Sequence, residues 1–354
     1  MYILGLSFFG TDSAAALVLD GQLVATEAEA HFSGISHDGT FPTQSIAYCL
    51  SQAGINTAAI DYVVFYEKPL VKFERMLITM LGTLPRSGDL WQETVFGWLP
   101  KKLWVKSLIE SRVKIRPDQI LFCDHALSHA ASAFFLSPFD EAAILVADTV
   151  GEWTSSALGN GQGSTLNLFA EQRFPHSLGL FAETFAAFLG TDTEGLLKLA
   201  ATGAPHFAEV QQVCTVQPDG TIQLNLRYFA FPYSTHVLYS RHLVGLFAEI
   251  SQGIGYPTQL AASVQAVIEE ALIRTANTLH TKTGLDKLCI SGAMATNYLA
   301  MDKIKRDTAF TDVFVPTAPG DDGAALGAAL WAHHMVFNRP RTTMSDPARL
   351  TRER

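Results

Sequence analysis

The chain has no C-x-x-C pair, no run of basic residues and no unbroken apolar stretch of membrane-spanning length. Each gap removes a class of function. The four cysteines, Cys49, Cys123, Cys214 and Cys289, are scattered, and three lie in apolar strand or helix contexts. That argues against a disulfide framework and reads as reduced, buried thiols in a cytoplasmic protein. Lys and Arg number 25 against 34 Asp and Glu, a net charge of −9, which argues against a broad phosphate-binding face and against nucleic acid as a partner. The apolar region around residues 77–99 is broken by Pro85, Arg86, Asp89 and Glu93, so no membrane span is expected. The opening MYILGLSFFG lacks the basic segment of a secretion signal.

What is present is core-forming. Hydrophobic residues make up 48% of 354 positions, enough for two domains or one double-lobed one. The first 30 residues read strand (YILGLSF), turn (GTDS), strand (AAALVLD), Asp-Gly hairpin, strand (LVATEA). The same order returns at 142–171 as AAILVAD, TVGEW, TSSALGN, GQGS and TLNLFAE. This is an internal repeat of pattern, and two lobes that each open with such a unit can clamp a nucleotide between their first hairpins. The expected division is a first lobe at 1–138, a second at 139–336 and a polar tail at 337–354. Trp91, Trp98 and Trp104 mark an aromatic helical insertion in the first lobe, at about 70–115. Helices are expected over 41–55, 176–190 and 259–284, with TDTEGLLKLAATGAP read as turns.

The chemistry gathers at three places. His125 and His129, four apart in an Ala-, Leu- and Ser-rich run, share one helix face and can grip one metal ion. A buried strand at 142–148 delivers Asp148 to a turn containing Gly151 and Glu152, a common way to approach a phosphate. Asp321 and Asp322 precede a helix whose first turn is Gly and Ala, where backbone can come close to a ligand. An Asp of this turn would complete a two-His, one-carboxylate set with open positions, which suits iron, zinc or manganese. Asp12 or Asp148 is the candidate to orient a donor or take a proton.

Several runs together resemble the carbamoyltransferases of the nodulation-factor and tobramycin type. They are ILGLSFFGTDSAAALVLDGQLVATEAE, YEKPLVKFERML, WLPKKLW, DHALSHAASAFFLSPFDEAAILVADTVGEW, LAASVQAVIEEAL, CISGAMATN and PTAPGDDGAALGAAL, in the family's order. The resemblance implies an α/β, actin-like and sugar-kinase-like ATPase fold with two duplicated ribonuclease-H-like lobes. It relates the chain to the enzyme that transfers threonylcarbamoyl to tRNA. It implies a carbamoyl-adenylate, made from carbamoyl phosphate and ATP, whose carbamoyl group passes to a hydroxyl or amine of a small natural product. Carried onto this chain, the metal ligands are His125, His129 and Asp321. Asp148, Gly151 and Glu152 border the phosphate and carbamoyl end, with Lys198 nearby. Gly292 and Asn297 contact the nucleoside, and Asp12 and Ser13 form the first lobe's side. The chain departs from the family's pattern at Thr11, His31, Ser36 and Ala126, where the family carries polar or basic groups. Relatives also continue into a domain that makes the carbamoyl-adenylate. A separate synthetase is therefore an expected partner, besides the small acceptor, and an oligomer is allowed. Two other readings stay open: a non-catalytic nucleotide-binding relative, and threonylcarbamoyl transfer to tRNA, which the acidic charge disfavours.

Overall fold

The computed structural model describes residues 1–92, 94–95, 103–248 and 255–341. Trp98 of the expected insertion and residues 342–354 of the expected tail lie outside them. Strands β1 (Tyr2–Ser7), β2 (Ala14–Leu19) and β3 (Gln22–Ala28) form an antiparallel meander, and β4 (Tyr62–Phe65) and β5 (Ile120–Phe122) add in parallel beside β1. The sheet order is β3-β2-β1-β4-β5. The second half repeats the plan. Strands β6 (Glu141–Ala147), β7 (Thr154–Gln162) and β8 (Thr165–Arg173) form the meander. A small hairpin, β9 (Cys214–Val216) and β10 (Ile222–Leu224), stands apart. Strands β11 (Lys287–Ser291) and β12 (Asp312–Phe314) then add in parallel, giving β8-β7-β6-β11-β12. The two sheets thus have the same strand order, which is the duplication expected from the repeated pattern. Strands β1 and β6 are buried over nearly their whole length, as central strands covered on both faces must be.

Local chemistry sets the helix limits. Helix Thr43–Ala53 ends at left-handed Gly54, and helix Tyr256–Thr283 ends at left-handed Gly284. In the insertion, helices Pro69–Gly82 and Val105–Val113 are formed. The segment expected as turns contains a helix instead, Thr193–Thr202. Asp192 caps its first turn by accepting the Gly195 N–H at 2.7 Å, and Glu194 and Lys198 pair one turn apart. All four cysteines are free and buried. No helix among the described residues is long and apolar enough to cross a membrane.

Two helices tie the halves together. Helix His125–Leu136 follows the first sheet in sequence yet packs on β6 and β11 of the second. Helix Asp321–Trp331 follows the second sheet yet packs on β1 and β2 of the first. The two helices also pack on each other, through alanines on both sides. Gly327 makes this possible, since a β-carbon there would stand 1.9 Å from the Ser128 carbonyl oxygen. The C-terminal end of helix His125–Leu136 is closed by Arg341, whose guanidinium donates to the carbonyls of Phe134 (2.9 Å), Ser137 (2.5 Å) and Phe139 (2.5 Å). Gly327→Val would force backbone rather than a side-chain tip to move. We expect a loss of about 3 kcal/mol or more, the upper end of overpacking costs, read as a lowered urea midpoint. A midpoint within error of the wild type would show that the helices can separate freely.

Candidate functional site

The crossing of these two helices, together with the end of β6, assembles a buried cluster. Helix His125–Leu136 places His125 and His129 one turn apart on its inner face, both buried. Asp148 follows β6, and its Oδ1 accepts the Ala293 N–H at 2.8 Å. Its Oδ2 lies 2.8 Å from His125 Nε2 and 3.9 Å from His129 Nε2. Asp321 opens the last helix, and its Oδ2 accepts the Thr11 N–H at 2.9 Å. Its Oδ1 is 3.9 Å from His125 Nε2 and 3.7 Å from His129 Nε2. The potential ligand atoms of all four residues lie within 4.8 Å of one another. The structure therefore brings together the three expected ligands and adds Asp148, read from the sequence as a neighbouring carboxylate.

The donor set fits a divalent cation. Among the described residues, neither ring nitrogen of His129 has a hydrogen-bond partner, and His125 Nδ1 has none either. A buried polar atom left without a partner costs about 1–3 kcal/mol. Separations of 3.7–3.9 Å are too long for hydrogen bonds. They are close to the roughly 3.4 Å between neighbouring ligands on a tetrahedral ion with bonds of about 2.1 Å. Burial pushes the His125 imidazole down, but the hydrogen bond and charge of Asp148, with Asp321 and Glu152, outweigh it and hold the group at about 9. Burial likewise pushes the Asp148 and Asp321 carboxyls up, and the two imidazoles reverse this and hold both below the ordinary carboxylate range.

The other expected site residues divide by what they touch. Gly151 lies against the His125 ring, with room for no β-carbon. Glu152 is buried and caps the start of the ligand helix: its oxygens accept the His125 N–H at 3.1 and 3.2 Å and the Lys68 N–H at 2.7 Å. Gly292, at φ 93°, lets its backbone pass the end of β6, where a β-carbon would meet the Ala147 oxygen at 2.4 Å. The Asn297 side chain is engaged internally, donating to Gln265 (2.8 Å) and accepting from Gln265 and the Ala300 N–H (both 3.0 Å). Ser13 is buried, and its hydroxyl donates to the Asp38 carbonyl at 2.5 Å. Asp12 is partly exposed beside His37. Lys198 is exposed, paired with Glu194, and makes no described contact with the cluster. Sequence reasoning passed over His37 and over Glu183, which accepts from the Thr149 hydroxyl at 3.2 Å. The signal for His37 was its place in FSGISHDGTFPTQSIAYCL, a run that also resembles the family, whereas Glu183 had none.

Comparison with known proteins places this architecture. The family described as Carbamoyltransferase N-terminus matches residues 2–330. An uncharacterised protein of Synechocystis sp. is 40% identical over 98% of this chain and 59% of its own length. Nodulation protein NolNO of Sinorhizobium fredii is 30% identical over 96% of this chain and 48% of its own. The chain thus spans about half to three-fifths of the length of these relatives. Among solved structures, component A of the Acidaminococcus fermentans (R)-2-hydroxyglutaryl-CoA dehydratase superposes with a TM-score of 0.52 at 15% identity, covering 94% of this chain and 98% of that one. Full-length HypF superposes at 0.52 and 11% identity, covering 95% of this chain and 55% of that one. The fold is the actin-like, sugar-kinase-like α/β ATPase fold expected from the sequence.

The pH response of the metal-free protein follows from His125. Its folded value is raised above the ordinary histidine value of 6.5, so its stabilising share is complete below that value. It is lost as pH climbs through about 9. The urea midpoint in a chelating buffer is expected to fall between pH 7 and pH 9.5, and His125→Asn to flatten that slope. An equal slope in both proteins would contradict the buried ion pair.

Proposed function

The chain belongs to the carbamoyltransferase family, and on that premise we propose that it transfers a carbamoyl group from carbamoyl-adenylate to a hydroxyl or amine of a small natural product. The observation that carries the reading is the cluster of His125, His129, Asp148 and Asp321, with three imidazole nitrogens that no group among the described residues satisfies. These four residues would hold a divalent cation, with iron, zinc and manganese all suited to two imidazoles and carboxylates. When bound, such an ion supplies charge stabilisation for the carbonyl and phosphate oxygens of a mixed anhydride.

The protein's own groups do the positioning. Glu152 fixes the first turn of the ligand helix, and Thr11 aims Asp321. Asp148, tied to the Ala293 N–H, sets the ring orientation of His125. The open turn at Gly292 brings backbone, rather than a side chain, to the end of β6, where the nucleoside side of the donor is placed in this reading. Because the chain spans only part of its relatives, the source of the carbamoyl-adenylate is proposed to be a separate synthetase or a further segment. A second reading, a nucleotide-binding relative without transfer activity, is favoured by the internal engagement of Ser13 and Asn297.

Metal content and donor turnover separate the two. We expect about one metal ion per purified chain, lost in both His125→Ala and His129→Ala, with AMP released from carbamoyl-adenylate only by the loaded wild type. A wild type that carries no metal and leaves carbamoyl-adenylate intact would favour the non-catalytic reading.

A further inference from the structure

Transfer to a hydroxyl requires a group to remove its proton, and in the proposed reading the four cluster residues are committed to the cation and to internal hydrogen bonds. Asp148 is engaged by His125 and the Ala293 N–H, and Asp321 by the Thr11 N–H. One residue beyond Thr11 stands Asp12, whose Oδ1 and Oδ2 lie 3.2 and 3.4 Å from Nδ1 of His37. A carboxylate only accepts, so this contact places a proton on Nδ1 and, in the neutral imidazole, puts the lone pair on Nε2. The His37 side chain is 66% exposed, so a small molecule can reach it.

The backbone around His37 is held in a conformation that side-chain-bearing residues rarely adopt, with φ at 56°. The neighbouring bonds explain how it persists. The Asp38 carbonyl accepts from both the Ser13 N–H (2.9 Å) and the buried Ser13 hydroxyl (2.5 Å). The Gly39 carbonyl accepts from the Phe9 N–H at 2.9 Å. The loop carrying His37 is therefore bonded to the same β1–β2 turn that anchors Asp321. The titratable groups around His37 are Asp12, Asp322 through its charge contact with Asp12, and Glu183 from the second half. Glu183 accepts from Thr149, the residue after Asp148, so His37 stands across from the second half's side of the site. Strained backbone over-determined by its surroundings is found at functional positions, and here it coincides with an oriented imidazole whose charge, like that of Asp148, reaches Glu183.

We propose that His37 is the general base for the acceptor and Asp12 the residue that positions it. This rests on the carbamoyl-transfer reading. The acceptor oxygen forms a bond to the carbamoyl carbon while the bond from that carbon to the phosphate oxygen breaks. The electron pair leaves on AMP, and the hydroxyl proton passes to Nε2 of His37. The Ser13 hydroxyl, instead of touching the donor, holds the loop in place.

Two measurements on the full chain test this separately. Long-range proton–nitrogen NMR of the labelled protein, with His37→Asn for assignment, is expected to show His37 protonated at Nδ1 and to lose that preference in Asp12→Asn. The opposite tautomer, or no response to Asp12→Asn, overturns the dyad whatever the reaction is. In the second, carbamoyl-adenylate is turned over with glycerol as the hydroxyl probe. His37→Asn is expected to lower kcat by on the order of 100-fold or more, with AMP affinity and the donor KM little changed. Asp12→Asn should lower kcat by a smaller factor in the same pattern. Unchanged kcat in His37→Asn beside an active wild type overturns the base assignment. A wild type that releases no AMP overturns the transfer reading and the base role with it, while the tautomer result still stands or falls alone.

Discussion

The close approach of two small-residue helices is the constraint on which the site depends. Helix His125–Leu136 brings both imidazoles, helix Asp321–Trp331 brings a carboxylate, and each packs on the sheet of the other half of the chain. Their separation is set by backbone against backbone at Gly327 and Ser128 rather than by adjustable side chains. A His and Asp cluster whose members come from elements 196 residues apart, from His125 to Asp321, needs that rigidity. Interiors packed this tightly do not deform smoothly, so ligand spacing is fixed before any ion arrives.

Around the cluster, charge is kept in place by the two imidazoles and by backbone amides together. Glu152, Asp148 and Asp321 each accept at least one main-chain N–H. Main-chain donors therefore supplement the imidazoles where several carboxylates are buried in one region. It also leaves His125 as the adjustable member of the electrostatic balance, held charged by Asp148 in the bare site and required neutral to bind an ion.

Much of the fold was legible because its signals are local. The two meanders show as apolar runs separated by Gly-rich turns, and their repetition at 2–28 and 141–173 carries over into identical sheet orders. Helix Thr193–Thr202 was not legible because its first turn, TEG, reads as loop, and its start depends on a side-chain cap at Asp192. In the site, spacing named His125 and His129, turn context narrowed the carboxylate to Asp321 or Asp322, and the family resemblance chose Asp321. The geometry that joins Asp148 to them, and His37 to Asp12, exists only after distant segments meet. Polar residues in turns posed a further difficulty. Ser13, Glu152 and Asn297 have the composition of ligand contacts, yet their hydrogen bonds go to the protein's own backbone and to Gln265. Nothing in a sequence tells a side chain that greets a ligand from one that braces a loop.

Arg341 carries a practical implication for dissecting the chain. Its guanidinium satisfies carbonyls at the end of the helix that carries both histidines, and its backbone N–H donates to the Ser164 hydroxyl at 2.9 Å. By element boundaries alone, a minimal fragment would stop near residue 336, the end of the last regular helix. Such a fragment would leave a bundle of bare carbonyls behind the imidazoles. The usable edge of this folded unit therefore lies beyond the last helix among the described residues, and a fusion built on this chain should be spliced downstream of that arginine.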